Sequence, residues 1–421
     1  MVVETGIPAA VEDRWRSAVS MVKRDRPQLR GKTPNAQRRT TDVDWRQHRV
    51  SSLSRHWTLS GRCWTFLQLN TQLVELIRQT IRAQGPQSFA WFMQQALYHP
   101  EHGYYASGTC AIGRAGDYFT NVSVGPIFGQ LLAAQFLEIW EQLNKIDDFT
   151  IVEQGAHDGQ FARDVLEFTQ KCAPEFFAIL RYRIVEPFPR LQPQQRQTLQ
   201  AFHHKVEWCD ALQTFSGVHF SNELLDAMPV RLVTDGRERL VDLDGDKFVF
   251  VEQPLHGPIF NQAAMGWIDE VAANLQRGYV ISIDYGHSGC GNRVQVRSGH
   301  RNLDSPFEQI GDADITMNVD WKNIAQRAEA NGLRVAGFTD QHHFLSGIIS
   351  GLDHGCSGPA FTPLTSKAKR QLQTLLHPEM LGRAFQALAL AKGVTPEAPP
   401  LAGFKFAPEP RFLLNLDHSV E

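Results

Sequence analysis

The chain has 421 residues, 42% apolar and 21% charged, a globular balance that allows two or three average domains or one enlarged α/β domain. Its net charge of −3 divides unevenly: residues 1 to 62 hold 13 Lys or Arg against 6 Asp or Glu, so +7 there leaves −10 for the remainder. The main body therefore lacks the basic face of a general nucleic-acid binder. The best candidate for a membrane span, Leu131 to Trp140, is too short and contains Gln135 and Glu138.

Six scattered cysteines form no CxxC pair and have no histidine at metal-ligand spacing, which argues for reduced thiols in an intracellular compartment and against a zinc site; no metal is expected. From Met1 to about Arg62 the sequence has arginine clusters and no apolar period, and reads as a flexible basic extension or an over-long start. A transit peptide would be poor in acids, yet Glu4, Glu12 and Asp13 stand near the beginning.

From 63 to 148 the reading is helical with a glycine-rich loop. Leu73, Leu76, Ile77 and Ile81 share one helical face, and Phe89, Phe92, Met93, Ala96 and Leu97 make a second stripe that stops before Pro100. The loop GYYASGTCAIGRAGDYFTN follows; its Asp117 is either a plain turn residue or a ligand contact, and composition alone favours the former. A helix from Ile127 to Leu143 leads to the stretch FTIVEQGAHDG, where a short apolar strand ends on Glu153, Gly155 and Gly159 bracket a turn, and a helix begins at Gln160. Glycines there let a ligand approach the backbone, although the same spacing is common in ordinary loops. A second strand, Tyr182 to Val185, ends on Glu186, placed to hold vicinal ribose hydroxyls as the acid of a dinucleotide fold does. The pair of acids, rather than either one, carries the reading.

Beyond Glu186 come a strand from Lys205 to Cys209, another from Val218 to Ser221 running into NELLDAMPV, and a hairpin insertion across 231–234, 239–243 and 247–251. A helix from Ala263 to Leu275, a strand from Tyr279 to Ile283 into DYG, a helix from Trp321 to Ala330 and a strand near 335–338 complete the alternation expected of a parallel sheet. Residues 287–320 show no period, 385–391 reads as a last strand, and the proline-rich tail from 394 on is expected to be loosely ordered.

The segments ALYHPEHGYY, GDYFTN with PIFGQ, VEQGAHDG, NELLDAMPV, ISIDYG and GDADITMNVDW stand in the order found in the MidA-like family of S-adenosylmethionine-dependent methyltransferases, which residues 70 to 395 resemble. Mitochondrial members of that family are complex I assembly methyltransferases acting on protein arginine. The resemblance implies an α/β class I methyltransferase fold, a Rossmann-like, mostly parallel sheet of seven strands with a final antiparallel strand, occupying 149–393, plus a largely helical lobe and the hairpin insertion. It implies S-adenosyl-L-methionine as cofactor, a protein substrate modified on arginine, a role in assembling a respiratory or other multisubunit complex, and a cytoplasmic location, mitochondrial if the source is eukaryotic. Residue by residue it assigns Glu153, Gly155, Gly159, Glu186, Gly116 and Asp117 to cofactor binding, and places Asn222, Glu223 and Asp226 as catalytic groups. Phe119 completes the GDF-like segment. Where the family loop resembles ExGxGxG, this chain has His157 in place of the middle glycine, a residue less disfavoured than most at positive φ.

Methyl transfer from a sulfonium is mainly a positioning task, and a protein guanidinium stays protonated, so Glu223 and Asp226 suit an arginine acceptor. The competing reading has Glu223 pairing locally and Asp226 opening a turn before Pro229. Two rivals come from other classes. A catalytically weak assembly scaffold would keep the fold but not the chemistry, and His157 motivates it. A nicotinamide oxidoreductase would need GxGxxG after the first strand, which is absent.

Overall fold

The computed structural model describes residues 70–107, 120–257, 261–286, 294–299, 301–355 (backbone alone for 353–355) and 365–416. The basic arm over residues 1–62 and the loop residues Gly116, Asp117 and Phe119 lie outside the described residues.

Helix α1 (Thr71–Gln84) starts where the Asn70 side chain accepts from the Leu73 N–H, and it buries Leu73, Ile77 and Ile81 at the spacing of one helical face. Ser88 caps α2 (Phe89–Tyr98) in the same way, and the helix stops one residue ahead of Pro100. Then follow α3 (Ile127–Gln142), β1 (Thr150–Gln154), α4 (Gln160–Cys172), β2 (Arg181–Val185), β3 (Val206–Cys209) and β4 (Phe215–Asn222). The second half adds α5 (Gln262–Asn274), β5 (Leu275–Tyr285), α6 (Trp321–Ala330), β6 (Arg334–Asp340), α7 (Gln341–Gly355), α8 (Ser366–Leu376) and β7 (Phe385–Lys392).

These strands form one seven-stranded sheet in the order β6-β7-β5-β4-β1-β2-β3. Pairings among β1 to β5 are parallel, and β7 runs antiparallel to both its neighbours, β5 and β6. Strand alternation divides the core between two faces. Ile151, Val218, Phe220 and Ile281 pack with Phe136 of α3 and Phe161 of α4 on one side. Val152, Val280 and Leu388 pack with Trp267 of α5 and Trp321 of α6 on the other. Because the chain leaves β1 toward β2 and β3, then returns to β4 on β1's other side, the carboxyl ends of β1 and β4 flank a topological switch point, where open α/β sheets bind ligands.

The remaining lobe has its own core, in which Leu73, Ile77, Phe89 and Phe92 meet Val241 and Ile315. It contains more strand than a largely helical lobe would. The expected hairpin is a four-stranded sheet of Gln87–Ser88, Leu232–Thr234, Arg237–Asp244 and Lys247–Pro254. The aperiodic stretch contributes a three-stranded sheet of Val294–Ser298, Arg301–Asn302 and Asp314–Met317, strands too short to express a period.

The tail differs from the loose segment its prolines suggest, since Leu401, Phe404 and Leu414 are buried. The two polar residues inside the apolar run of α3 hold it: Gln135 Oε1 accepts from the Gly403 N–H at 2.9 Å, and the Glu138 carboxylate accepts from Ala402 at 3.0 Å. No described helix is long and apolar enough to cross a membrane.

Phe220 lies flat against Phe161, ring centroids 4.3 Å apart, with Phe136 edge-on, and so fixes the end of β4 on α3 and α4. Phe220→Ala should cost about 3–5 kcal/mol of stability, read from urea denaturation. A loss under about 1 kcal/mol would show that this cluster does not hold the strand end.

Candidate active site

At the carboxyl ends of β1, β2 and β4 lies a cavity of about 410 Å³, within the range of small-molecule sites. Glu153, Gln154 and the turn 155–158 form one wall, Val185, Glu186 and Phe188 a second, and Asn222, Glu223 and Leu224 a third. Tyr98 closes it from α2, stacked on Phe188 at 6.2 Å and on Tyr105 at 5.6 Å, while its O–H donates to the Ala227 carbonyl at 3.1 Å.

The turn after β1 takes positive φ at Gly155 (81°), His157 (46°) and Gly159 (79°). His157 takes a positive φ in place of the glycine the family loop resembles, and its side chain lines the cavity without filling it. Beside it, the Asp158 carboxylate lies 3.8 Å from the ring. Glu153 is buried, its Oε2 accepting from the Tyr182 hydroxyl at 2.6 Å, and burial pushes its carboxyl from 4.5 up to about 8 against that hydrogen bond. Next to it, Gln154 Oε1 accepts from Trp267 Nε1 and from His219 Nε2, both at 2.8 Å. Burial lowers His219 to about 3, so it stays neutral and carries its proton on Nε2.

Glu186 is 4% exposed, and burial raises its carboxyl. Oε1 accepts from the Phe188 N–H and Oε2 from Gln195 Nε2, each at 2.9 Å, which leaves one lone pair per oxygen for a ligand.

The third wall is the most constrained. Glu223 has φ +54°, costly for a residue with a Cβ, and its N–H donates to the Ile283 carbonyl at 3.0 Å. Its Oε1 accepts from the Asn121 backbone N–H at 3.1 Å and from Asn222 Nδ2 at 2.9 Å, and Asn121 Nδ2 donates to Asn222 Oδ1 at 3.0 Å, closing a ring of three residues. Glu223 Oε2 is buried and has no hydrogen-bond partner among the described residues. Burial raises this carboxyl from 4.5 to about 8.

Behind Glu223, a smaller hollow is lined by Asp226, Asp314, Tyr105, Tyr285 and Arg297. The Tyr105 hydroxyl donates to Asp314 at 2.6 Å. Asp284 supports this wall from the end of β5: its Oδ2 accepts from the N–H groups of Leu224 (3.0 Å), Leu225 (2.7 Å) and Asp226 (3.3 Å), and its Oδ1 from Tyr285 (2.7 Å). Burial raises both Asp226 and Asp284, and the Asp284 charge beside it raises Asp226 further. Four N–H donors favour the ionised form of Asp284, so the proton of the pair resides on Asp226.

The structure thus brings together Glu153, Gly155, Glu186, Asn222 and Glu223 around one cavity, with Gly159 at the head of α4 and Asp226 in the adjoining hollow. Sequence reasoning missed Asn121, Asp284 and Gln195. The first two stand inside segments singled out for other residues, and Gln195 shares a helical face with Leu191 and Leu199.

A family model of S-adenosyl-L-methionine-dependent methyltransferases matches residues 131–339. A Burkholderia thailandensis protein, crystallised with S-adenosyl-homocysteine, is 27% identical, with a TM-score of 0.71 over 83% of this chain and 98% of that one. The chain is an S-adenosylmethionine-dependent methyltransferase similar to the MidA-like family. Among its relatives, the protein arginine methyltransferase NDUFAF7 homolog, mitochondrial, of Drosophila melanogaster is 27% identical over 76% of this chain and 85% of that protein. The Homo sapiens protein arginine methyltransferase NDUFAF7, mitochondrial, is 24% identical over 76% and 83%. The methyltransferase takes S-adenosylmethionine as its cofactor, and the cavity suits it: two acids at adjacent strand ends, apolar lining from Val185, Phe188 and Leu224, and a turn that opens with Gly155 and Ala156.

Glu153 and Glu223 hold protons in the folded methyltransferase up to about pH 8 but release them near 4.5 when unfolded. Between those values the folded state binds more protons, so their contribution to stability is full below the lower value and is lost as pH rises through the upper one. Melting temperature should fall across this window without ligand, and less steeply in Glu153→Gln. Equal slopes in variant and parent would show that burial does not hold the proton on Glu153.

Proposed function

We propose that this methyltransferase modifies an arginine side chain of a protein partner, with Glu223 and Asp226 receiving the guanidinium. The observation that carries the reading is the buried Oε2 of Glu223, without a partner among the described residues, on a residue that borders both the main cavity and the acidic hollow behind it. An acceptor atom withdrawn from water without a donor is costly, and a guanidinium supplies donors in a planar fork.

S-adenosylmethionine supplies a methyl group already activated on a sulfonium. The protein's task is to bind, orient and hold charge. Glu186 offers its two remaining lone pairs to the ribose hydroxyls, and Glu153 with the 155–159 turn forms the floor. Gly116 and Asp117, assigned by the GDYFTN resemblance alone, complete the proposed cofactor set. Asn121 and Asn222 fix Oε1 of Glu223, so that Oε2 alone is free to turn toward an arriving donor. A cation there favours the ionised carboxylates, which hold the guanidinium and concentrate electron density on its attacking nitrogen.

Relatives named protein arginine methyltransferase support the acceptor class, and their mitochondrial names support that compartment if the source is eukaryotic, with the cytoplasm otherwise. The family resemblance adds assembly of a respiratory or other multisubunit complex as the setting. An open cavity beside His157 removes the reason for preferring a scaffold that binds no cofactor.

Glu186→Ala should weaken S-adenosylmethionine binding by roughly tenfold or more in calorimetry, the loss of charged hydrogen bonds. Glu223→Gln should bind the cofactor near the parental affinity yet lower turnover by about a hundredfold or more. Arginine methylation is read by mass spectrometry of proteins from cells with and without the gene. Unchanged methylation by Glu223→Gln would remove that carboxylate from the mechanism.

A further inference from the structure

We propose that Gln195 is a positioning residue for the cofactor, locking the Glu186 carboxylate and the turn through His157 into one rigid unit. The proposal rests on the reading of Glu186 as the ribose acid.

Gln195 is fully buried and stands behind the cavity wall, which Leu191 and Gln194 line. Its Nε2 donates to Glu186 Oε2 and to the His157 carbonyl, and its Oε1 accepts from Trp208 Nε1, all at 2.9 Å. An indole N–H only donates, so the carboxamide has one permitted orientation: flipping it would set donor against donor at Trp208 and oxygen against oxygen at the other two contacts. The indole is itself held by the Arg196 guanidinium, 4.1 Å from the ring centroid. Gln195 therefore ties β3, the end of β2 and the turn after β1 through one side chain. A Cβ on Gly159 would lie 3.5 Å from the Gln195 Cα, so the segment carrying this side chain is seated directly on the turn.

The charged or titratable groups around the carboxamide are Glu186, His157, Asp158 and Arg196. Against them, Gln195→Glu distinguishes hydrogen bonding from packing. Protonated, its side chain donates to one of the two oxygens; ionised, it repels Glu186 and the carbonyl.

Calorimetry of S-adenosylmethionine and S-adenosylhomocysteine is the test. Gln195→Leu should weaken both by about 5- to 100-fold. Gln195→Glu should bind within about threefold of the parent near pH 5.5 and at least about tenfold more weakly near pH 8.5. Parental affinity in Gln195→Leu, or a loss in Gln195→Glu equal at both pH values, overturns the proposal while leaving the reading of Glu186 intact. If Gln195→Leu does not fold, Trp208→Phe decides: it removes the indole N–H that orients the carboxamide while keeping a smaller aromatic ring, so a several-fold loss is expected and parental affinity overturns the proposal. Parental affinity in Glu186→Ala would overturn the ribose-acid reading, and this inference with it.

Discussion

One carboxylate organises the cavity wall that follows β4. Asp284 gathers three successive N–H groups of the turn after β4 on one oxygen and the Tyr285 N–H on the other. Without it, residues 224–226 would bury N–H groups facing nothing, at a cost of about 1–3 kcal/mol each. With it, the turn can leave β4 sharply enough to carry Glu223 at φ +54° and still return Asp226 into the hollow behind. The strain at Glu223 and the crowding of acids persist because the backbone around them is fixed by bonds stronger than neutral ones.

Burying several carboxyls together makes a site that is uncomfortable in the absence of a cation. Glu153 and Glu223 keep their protons to about pH 8, and Asp226 keeps the one that Asp284 gives up. Arg297 lines the same hollow as Asp226, yet Glu223 Oε2 has no donor among the described residues. A neutral acceptor would gain little from such a wall. A guanidinium gains both the donors' geometry and the ionisation that its own charge induces.

The parallel sheet was legible because its strands are apolar on both faces and are separated by helices with clear periods; β1, β5 and α6 fall within a few residues of their expected bounds. Glu153 and Glu186 were legible for a related reason, since an acid ending an apolar strand has no packing role to explain it. Asn121 and Asp284 were not, because their partners lie 102 and about 60 positions away, and a hydrogen bond at that separation leaves no local pattern. The small sheet within 294–317 escaped because two or three alternating residues cannot be told from chance.

Gln195 shows a different kind of illegibility. The run QPQQRQ reads as an exposed polar helix, and nothing in composition separates its glutamines. Phase does: Leu191, Gln195 and Leu199 recur every four residues on one face, and a polar residue centred in such a stripe must find partners once the stripe is buried. Gln154 follows the same logic from β1, its Oε1 taking two donors from buried rings. Both residues use carboxamides where a carboxylate would add charge to an acidic site and an aliphatic chain would leave indole and imidazole donors unsatisfied. Uncharged but directional side chains thus help set the positions of Glu153 and Glu186 at two cavity walls of this methyltransferase, while Asp284 holds the backbone N–H groups of the third.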